Sequence, residues 1–335
     1  MKHITYLLFI IISLIGCSGT TNKVNAQQDQ PQGVYIHRLD KALYEGLIQN
    51  PLNISDLEKK TQSCKSLISA LGLLTIEEMP ENDPTAFWGR LQKFYNNSAL
   101  LHIYKDAIKT FDNTTNYEKQ LMNARNIINE EFAGKNLPQF YMHVSGFREN
   151  VILLDSIISI SIDKYLGSDY PIYKNYFEPY QLQQMESRFI TRDYLKAWLI
   201  SEIVKPEEDS QNLLSAMIYE GKILYALSKL LPDMKADDII GYTSDQSAWC
   251  EKNAKYIWRL LTKEKFLFST DHMTIIRFIN EAPYSLDVSR ESPGRVGVWV
   301  GWQIVNQYAE KKEFLLNDVL GMDAQAILSG SKYNP

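Results

Sequence analysis

A chain of 335 residues that is 45% hydrophobic and 22% charged is an ordinary globular mixture, with material for one large core or two small ones. Its formal charge of −5, with no cluster of basic residues, excludes nucleic acid as the expected partner.

Lys2 and His3 precede an apolar run at residues 6–15, and Gly16-Cys17 follows. A basic start, a compact apolar segment and a small residue before the cut describe a bacterial export signal over residues 1–16. Leu14-Ile15-Gly16-Cys17 fits a lipobox, in which Cys17 is lipidated (palmitate among its acyl chains) and becomes the mature first residue. The alternative is a plain signal peptide, or one cleaved near Ala26. The apolar run is too short to span a membrane, and no other candidate span follows. Several acyl chains at about 0.8 kcal/mol per buried methylene give firm anchoring, so the membrane is reached through lipid. Residues 17–33 are rich in Gln, Asn, Thr and Ser and read as a flexible tether, leaving residues 34–335 as a single domain. Ser18-Gly19 lacks an aspartate that would retain the chain at the inner membrane, which favours the outer membrane. Residues 18–23 carry no acidic surface-export signal, which favours its periplasmic face.

A short strand at residues 34–36 leads into a helix over 38–48. Residues 54–74, 84–110 and 115–129 read as further helices, with Asp83 as N-cap and Pro84 at the first helical position. Residues 138–145 and the isoleucine-rich 151–162 are the best strand candidates, joined by a hairpin connection at 146–150. His143 falls in the first of them, as a structural histidine rather than a ligand. The cluster Tyr170, Tyr173 and Tyr176 either stacks on sugars or packs a loop onto the core. The whole reads as α+β, predominantly helical, with a small sheet.

Residues 193–205 and 213–229 form two largely apolar helical patterns separated by Pro206 and a polar run. In the second, Glu220 lies among Leu213, Ala216, Met217, Ile223, Leu224 and Leu227, where a carboxylate is costly unless paired or bound to metal. In the first, Ser201, Glu202 and Lys205 share one face. Ser201-Glu202-Ile203-Val204-Lys205 has the layout of the zinc-peptidase His-Glu-x-x-His with both histidines gone, and Glu220 stands where a third ligand would come. Serine is a poor ligand and a lysine ammonium repels the ion, so no metal and no other cofactor is expected. A buried Glu220–Lys205 ion pair is the plain alternative.

Thr243-Ser244-Asp245-Gln246 has the form of a capping box. Ser292-Pro293 looks like another helix start, with Gly297 and Gly301 inside the helix. Each interior glycine costs roughly 1 kcal/mol against alanine, which predicts close approach of a second element. Arg295 in that first turn opposes the helix dipole and calls for a partner, Glu202 or Glu220. Cys64 and Cys250 are expected to be unpaired core thiols. The five histidines include no i, i+4 pair, and there is no nucleophile elbow, Cys-x-x-Cys or dinucleotide fingerprint.

On SGF at 145–147, SIDKYLGSDYPIY at 161–173, LLSAMIYEGKILY at 213–225, GYTSDQSAWCEKN at 241–253, APYS at 282–285, SPGRVGVWVGWQIV at 292–305 and SKYNP at 331–335, the chain resembles the gliding-motility lipoprotein family GldB. That family in turn resembles predicted zinc-dependent proteases of zincin type. The resemblance implies a degenerate zincin-like domain, with Glu220-Gly221 at the third-ligand position and Ser201, Glu202 and Lys205 at the former motif. Ser201, Glu202, Lys205, Glu220 and Arg295 are thus candidates for a vestigial site, with no catalytic residue. It implies a non-catalytic, lipid-anchored accessory or scaffold (a pseudoenzyme) that binds envelope proteins of the gliding or associated secretion machinery. Two alternatives belong to other classes: an active metallohydrolase or peptidase with an atypical site, and a glycan-binding lipoprotein using the three tyrosines.

Overall fold

The structure, a computed structural model, describes residues 33–48, 51–80, 83–207, 211–311 and 314–335. The signal peptide, Cys17 and all but the last residue of the tether lie outside the described residues. The described residues form two compact units that interleave in sequence: those up to Met122 with Pro138–Leu166, and Asn123–Leu137 with those of Gly167–Pro335.

The first unit contains β1 (Ile36–Arg38), α1 (Leu39–Ile48), α2 (Ile54–Thr61), α3 (Lys65–Thr75), α4 (Pro84–Tyr95), α5 (Ser98–Thr110) and the start of α6 (Thr115–Glu131). β2 (Gln139–His143), β3 (Val151–Leu154) and β4 (Ile157–Ser161) complete it. The two long helical patterns are each broken. A 3-10 turn at Gln62–Cys64 separates α2 from α3. α4 ends at its C-cap Asn96, and Asn97 starts α5 by accepting the N–H groups of Ala99 and Leu100 at 3.1 and 3.4 Å, as asparagine does at an N-cap. Asp83 caps α4 as expected, accepting the Ala86 N–H at 3.0 Å.

The sheet corrects the sequence reading in one respect. Residues 151–162 are not one strand but a hairpin, because Asp155-Ser156 supplies a two-residue turn in the middle of the apolar run. Strand order is β1-β2-β4-β3, with β1–β2 and β2–β4 parallel and β3–β4 antiparallel. Residues 146–150 therefore connect β2 to an edge strand and not to its own neighbour. Alternation along β2 and β4 puts Phe140, Met142, Ile158 and Ile160 on one face and Tyr141, His143, Ser159 and Ser161 on the other. All eight are buried.

The second unit holds the end of α6, α7 (Pro179–Leu182), α8 (Ile190–Trp198), α9 (Leu213–Leu230), α10 (Ala236–Ile240), α11 (Ser244–Lys263), α12 (His272–Ile279), α13 (Val296–Glu310), α14 (Leu316–Gly321) and α15 (Ala324–Ser331). Thr243 and Gln246 form the anticipated capping box at the start of α11. The core is the crossing of α9 with α13, flanked by α8, α12, α14 and α15. Gly221 and Gly301 make that crossing possible. A methyl carbon on Gly301 would lie 1.9 Å from the Met217 carbonyl oxygen, and one on Gly221 would lie 2.5 Å from the Gly301 backbone. Gly297 serves a different neighbour, the Phe278 backbone of α12, at 2.9 Å from the same kind of construction. The predominance of helix and the small mixed sheet match the α+β expectation.

Candidate functional site

The second unit's α8 is amphipathic and deeply set, with Ile190, Tyr194, Leu195, Ala197 and Trp198 buried. Its one buried cation, Arg192, is fully engaged. Nε donates to Asp193 Oδ1 at 2.8 Å, Nη1 to the Asp238 carbonyl at 2.9 Å and Nη2 to Gln184 Oε1 at 3.2 Å. The guanidinium also lies 4.0 Å from the Phe189 ring centroid. The Trp198 indole N–H donates to the Asn136 carbonyl at 3.1 Å.

Beyond Trp198 the helix widens into a π turn, Leu199–Ile203, closed by the Val204 N–H bonding the Leu199 carbonyl at 2.8 Å. A π turn adds one residue per hydrogen-bonded ring and often occurs at functional sites. Here it destroys the α-helical face expected of residues 201, 202 and 205. Lys205 lies past the helix end, and its ammonium turns back to the Ser201 carbonyl. The Ser201 hydroxyl donates to the Trp198 carbonyl at 3.1 Å. Glu202 points to the surface and pairs with Lys135 at 3.0 Å, with each side chain 42% exposed. Ser201, Glu202 and Lys205 are neighbours in sequence without converging on a common point.

Glu220 on α9 is partly buried, as its apolar surroundings predicted, but its partner differs from the expectation. The carboxylate lies 3.6 Å from the ammonium of Lys196 on α8, with side chains 19% and 25% exposed. Lys205, bound to the Ser201 carbonyl, is not that partner. The Tyr219 hydroxyl beside it is pushed up to about 12, first by burial and then by the Glu220 charge. Two residues on, Lys222 is more deeply buried than Glu220 and donates to the Met322 carbonyl at the end of α14. Burial lowers its pKa, while Glu207 and Asp323 oppose that shift. Glu207 itself accepts the Ala324 N–H at the start of α15 at 2.5 Å. Lys222 therefore ties α9 to the C-terminal helices, a role signalled only by a lysine inside an apolar run.

Arg295 is not in a first helical turn. It is the N-cap of α13, with φ +61°, and Nη1 donates to the Ile240 carbonyl at 3.0 Å. Neither Glu202 nor Glu220 is its partner. The helix starts three residues later than the Ser292-Pro293 pattern predicted, because Gly294 is pressed against the Ala282 backbone and Ser292 turns inward. Ser292 Oγ accepts the Ser285 N–H at 3.0 Å and donates to the Ser289 carbonyl at 2.6 Å. The Tyr242 hydroxyl donates to the Gly294 carbonyl at 2.6 Å. Its pKa is raised by burial above all, with the nearby Arg295 charge acting in the opposite direction. The segments 241–246, 281–285 and 292–295 thus meet around a shallow polar cleft that includes Tyr180, Gln183, Glu281 and Arg295.

The tyrosine cluster does not form a stacking platform. Tyr173 is fully buried, its ring edge-on to Tyr170 (71° between planes) and to Phe177 (87°). Tyr176 is 64% exposed. Perpendicular rings around a buried centre pack a loop; they do not present coplanar faces to a sugar.

In the first unit, sequence reasoning passed over a buried polar knot. Asp163, fully buried, accepts the Ser161 hydroxyl at 2.5 Å, the Phe147 N–H at 2.8 Å and the Ser145 N–H at 3.2 Å. Gly146 and Phe147 both have positive φ, +68° and +65°, so the carboxylate stabilises a turn that a non-glycine residue enters at a cost. Burial raises the Asp163 pKa, and hydrogen bonds from Ser161, Phe147 and Ser145 partly offset the rise. His143 is buried as well, its Nδ1 2.7 Å from Ser159 Oγ, and its Nε2 has no hydrogen-bond partner among the described residues. Burial holds its pKa down to about 3. This is the structural histidine expected, and the SGF and SID segments held the signal for the rest.

Among the described residues, no three His, Cys, Asp or Glu side chains cluster closely enough to hold a metal ion. Cys64 and Cys250 are both buried and unpaired, their thiols raised by burial to about 11 and about 12. No helix among the described residues is long and apolar enough to cross a membrane.

A model of the family described as "Gliding motility protein GldB" matches residues 20–335. No curated protein and no solved structure matches the chain.

Proposed function

From the premise that the chain belongs to the gliding motility protein GldB family, we propose that it is a non-catalytic, lipid-anchored accessory or scaffold of the envelope machinery for gliding and its associated secretion. Cys17 carries the lipid, the outer membrane holds it, and the folded residues face the periplasm.

The observation that carries the non-catalytic reading is the pairing of the two glutamates. Glu220 is paired with Lys196 at 3.6 Å and Glu202 with Lys135 at 3.0 Å. An ammonium beside a carboxylate repels an incoming cation and occupies the oxygens that would bind it. The π turn at Leu199–Ile203 also removes the i, i+4 geometry by which a helix offers two ligands to one ion. We read the domain as a degenerate zincin-like fold, in which a helix ending at residue 203 and the Glu220-Gly221 element of α9 retain the order of a peptidase site without its chemistry.

Binding then replaces catalysis. β3 ends the sheet, with no further strand beside it among the described residues, and its sequence Val151-Ile152-Leu153-Leu154 has neither charge nor proline to block pairing. An extended segment of an envelope protein adds to such an edge through main-chain hydrogen bonds. Crosslinking in the native envelope, with partners identified by mass, tests this reading. The expected result is a discrete set of envelope proteins, lost when Leu153→Pro blocks the edge, and loss of membrane retention on Cys17→Ala. Recovery of no envelope partner, or membrane retention unaffected by Cys17→Ala, would contradict it.

A further inference from the structure

The outer face of α11, in the second unit, carries a ridge of cations that the scaffold reading does not use. The helix buries Cys250, Ile257 and Leu261. On the opposite side Lys252, Lys255, Arg259 and Lys263 recur at intervals of three or four residues, and all are exposed. At the α-helical repeat they fall within an arc of about 80°, spread along roughly 16 Å of helix. Between residues 252 and 263 no acidic residue shares that arc. Of the acidic groups on or beside α11, Asp245 lies in the first turn, Glu251 stands to one side of the arc, and Glu264 is the C-cap.

Like charges four residues apart on a helix repel, so Lys255, Arg259 and Lys263 cost the helix stability. The dipole favours Lys263 in the last turn, but Lys252 and Lys255 sit in the middle turns, where it does not. Among the described residues none of the four forms an ion pair. A helix face that serves only solvation alternates in sign. This one carries a single sign, on a chain whose formal charge is −5.

Two exposed rings border the ridge. Tyr256, 43% exposed, lies one turn from Lys252 and beside Arg259. Phe268, 57% exposed, follows in the 3-10 turn beyond the helix and lines a cleft with Thr262 and Lys265. The loop bonded to the Tyr256 hydroxyl through the Val288 carbonyl, at 3.3 Å, adds one exposed charge of each sign, Arg290 and Glu291.

From this we propose that the α11 face lies against an anionic phospholipid surface, with Lys252, Lys255, Arg259 and Lys263 among the headgroups and Tyr256 and Phe268 at the interface. This deepens the lipid-anchored reading and rests on it. Acyl chains at Cys17 hold the chain at the membrane without choosing which face meets it; the ridge makes that choice. A convex row of long side chains offers a folded partner no recess, whereas laterally mobile headgroups gather around separate cations. Exposed aromatic rings suit the same boundary.

Lysine acetylation of the lipidated full chain, read by mass, tests it in vesicles of phosphatidylcholine alone and of phosphatidylcholine with phosphatidylglycerol. The expected result is acetylation about fivefold slower at Lys252, Lys255 and Lys263 in the anionic vesicles. Lys255→Glu combined with Arg259→Glu should return Lys252 and Lys263 to their neutral-vesicle rates. Both substituted residues are exposed, so folding is retained. Equal rates in the two kinds of vesicle, or protection that survives the double charge reversal, would overturn the proposal; sedimentation with both vesicles would then leave the anchor standing. Protection in native envelopes but not in phosphatidylglycerol vesicles would assign the ridge to an acidic protein and overturn it too. Were the anchor alone to fail, neutral vesicles would release the chain. Capture by the anionic vesicles, with the three lysines protected, would still support the ridge.

Discussion

The Glu220 carboxylate and the Lys196 ammonium face each other at 3.6 Å across α9 and α8, both mostly shielded from water. Such a pair stabilises a helix contact modestly and leaves its members unavailable for other chemistry. A double-mutant cycle between Lys196→Met and Glu220→Gln, read by urea unfolding, should give a coupling of about 0.5–1 kcal/mol. The same cycle with Lys205→Met in place of Lys196→Met should give none, since the Lys205 ammonium bonds the Ser201 carbonyl. Coupling to Lys205 and not to Lys196 would reverse the assignment.

Gly301→Ala should destabilise the chain by about 2–3 kcal/mol, the typical cost of forcing an extra carbon into a packed interface. The new methyl would meet the Met217 backbone, which has no rotamer to change. Gly89→Ala, on the outer side of α4 with nothing within 4 Å, should stabilise by about 0.5–1 kcal/mol. Thermal unfolding of the two variants side by side checks both signs.

Much of the fold was legible in the sequence, and the failures share a cause. Asp83 and Thr243 act over three residues, so their caps could be read directly. The small-residue spacing of Gly297 and Gly301 announced close approach, though not that the two face different helices. Asn97 looked like one polar residue in a long helical pattern, and only its hydrogen bonds show it starting a new helix, α5. The pairing of β2 with β4 is non-local, and nothing in residues 146–150 distinguishes a link to an edge strand from a simple hairpin. The π turn was invisible for a similar reason: periodicity at 100° per residue assumes the geometry that Leu199–Ile203 departs from. Every partner assigned to residues 201–205 and to Glu220 by that periodicity was displaced accordingly.

Asp163→Ala should cost about 1–3 kcal/mol. It strands the Phe147 N–H, whereas the Ser145 N–H keeps Ser161 Oγ at 3.0 Å and the Ser161 hydroxyl keeps Ser145 Oγ at 2.8 Å. Asp163→Asn, whose single carbonyl oxygen still accepts, should lose less. Hydrogen exchange at Phe147 should accelerate in both variants, and unchanged protection there would separate the carboxylate from the turn.

His143 predicts an acid-side loss of stability. Burial lowers its pKa from 6.5 to about 3 in the folded chain. Above pH 6.5 both states are neutral and the group contributes nothing. As pH falls through 6.5 the unfolded chain takes up a proton that the folded chain refuses, so stability drops by roughly 1.4 kcal/mol per unit. About 2 kcal/mol is lost by pH 5, and the loss levels off near pH 3. His143→Gln should flatten this part of the pH profile of the urea midpoint between pH 7 and 5. A variant profile parallel to the parent's would assign the acid sensitivity elsewhere.

The most direct measurement is the metal content of the purified chain, by elemental analysis after dialysis against a weak chelator, with and without added zinc. With Glu220 held by Lys196 and Glu202 by Lys135, the expected result is substoichiometric zinc that Glu220→Ala leaves unchanged. One zinc per chain, lost on Glu220→Ala, would contradict the non-catalytic reading.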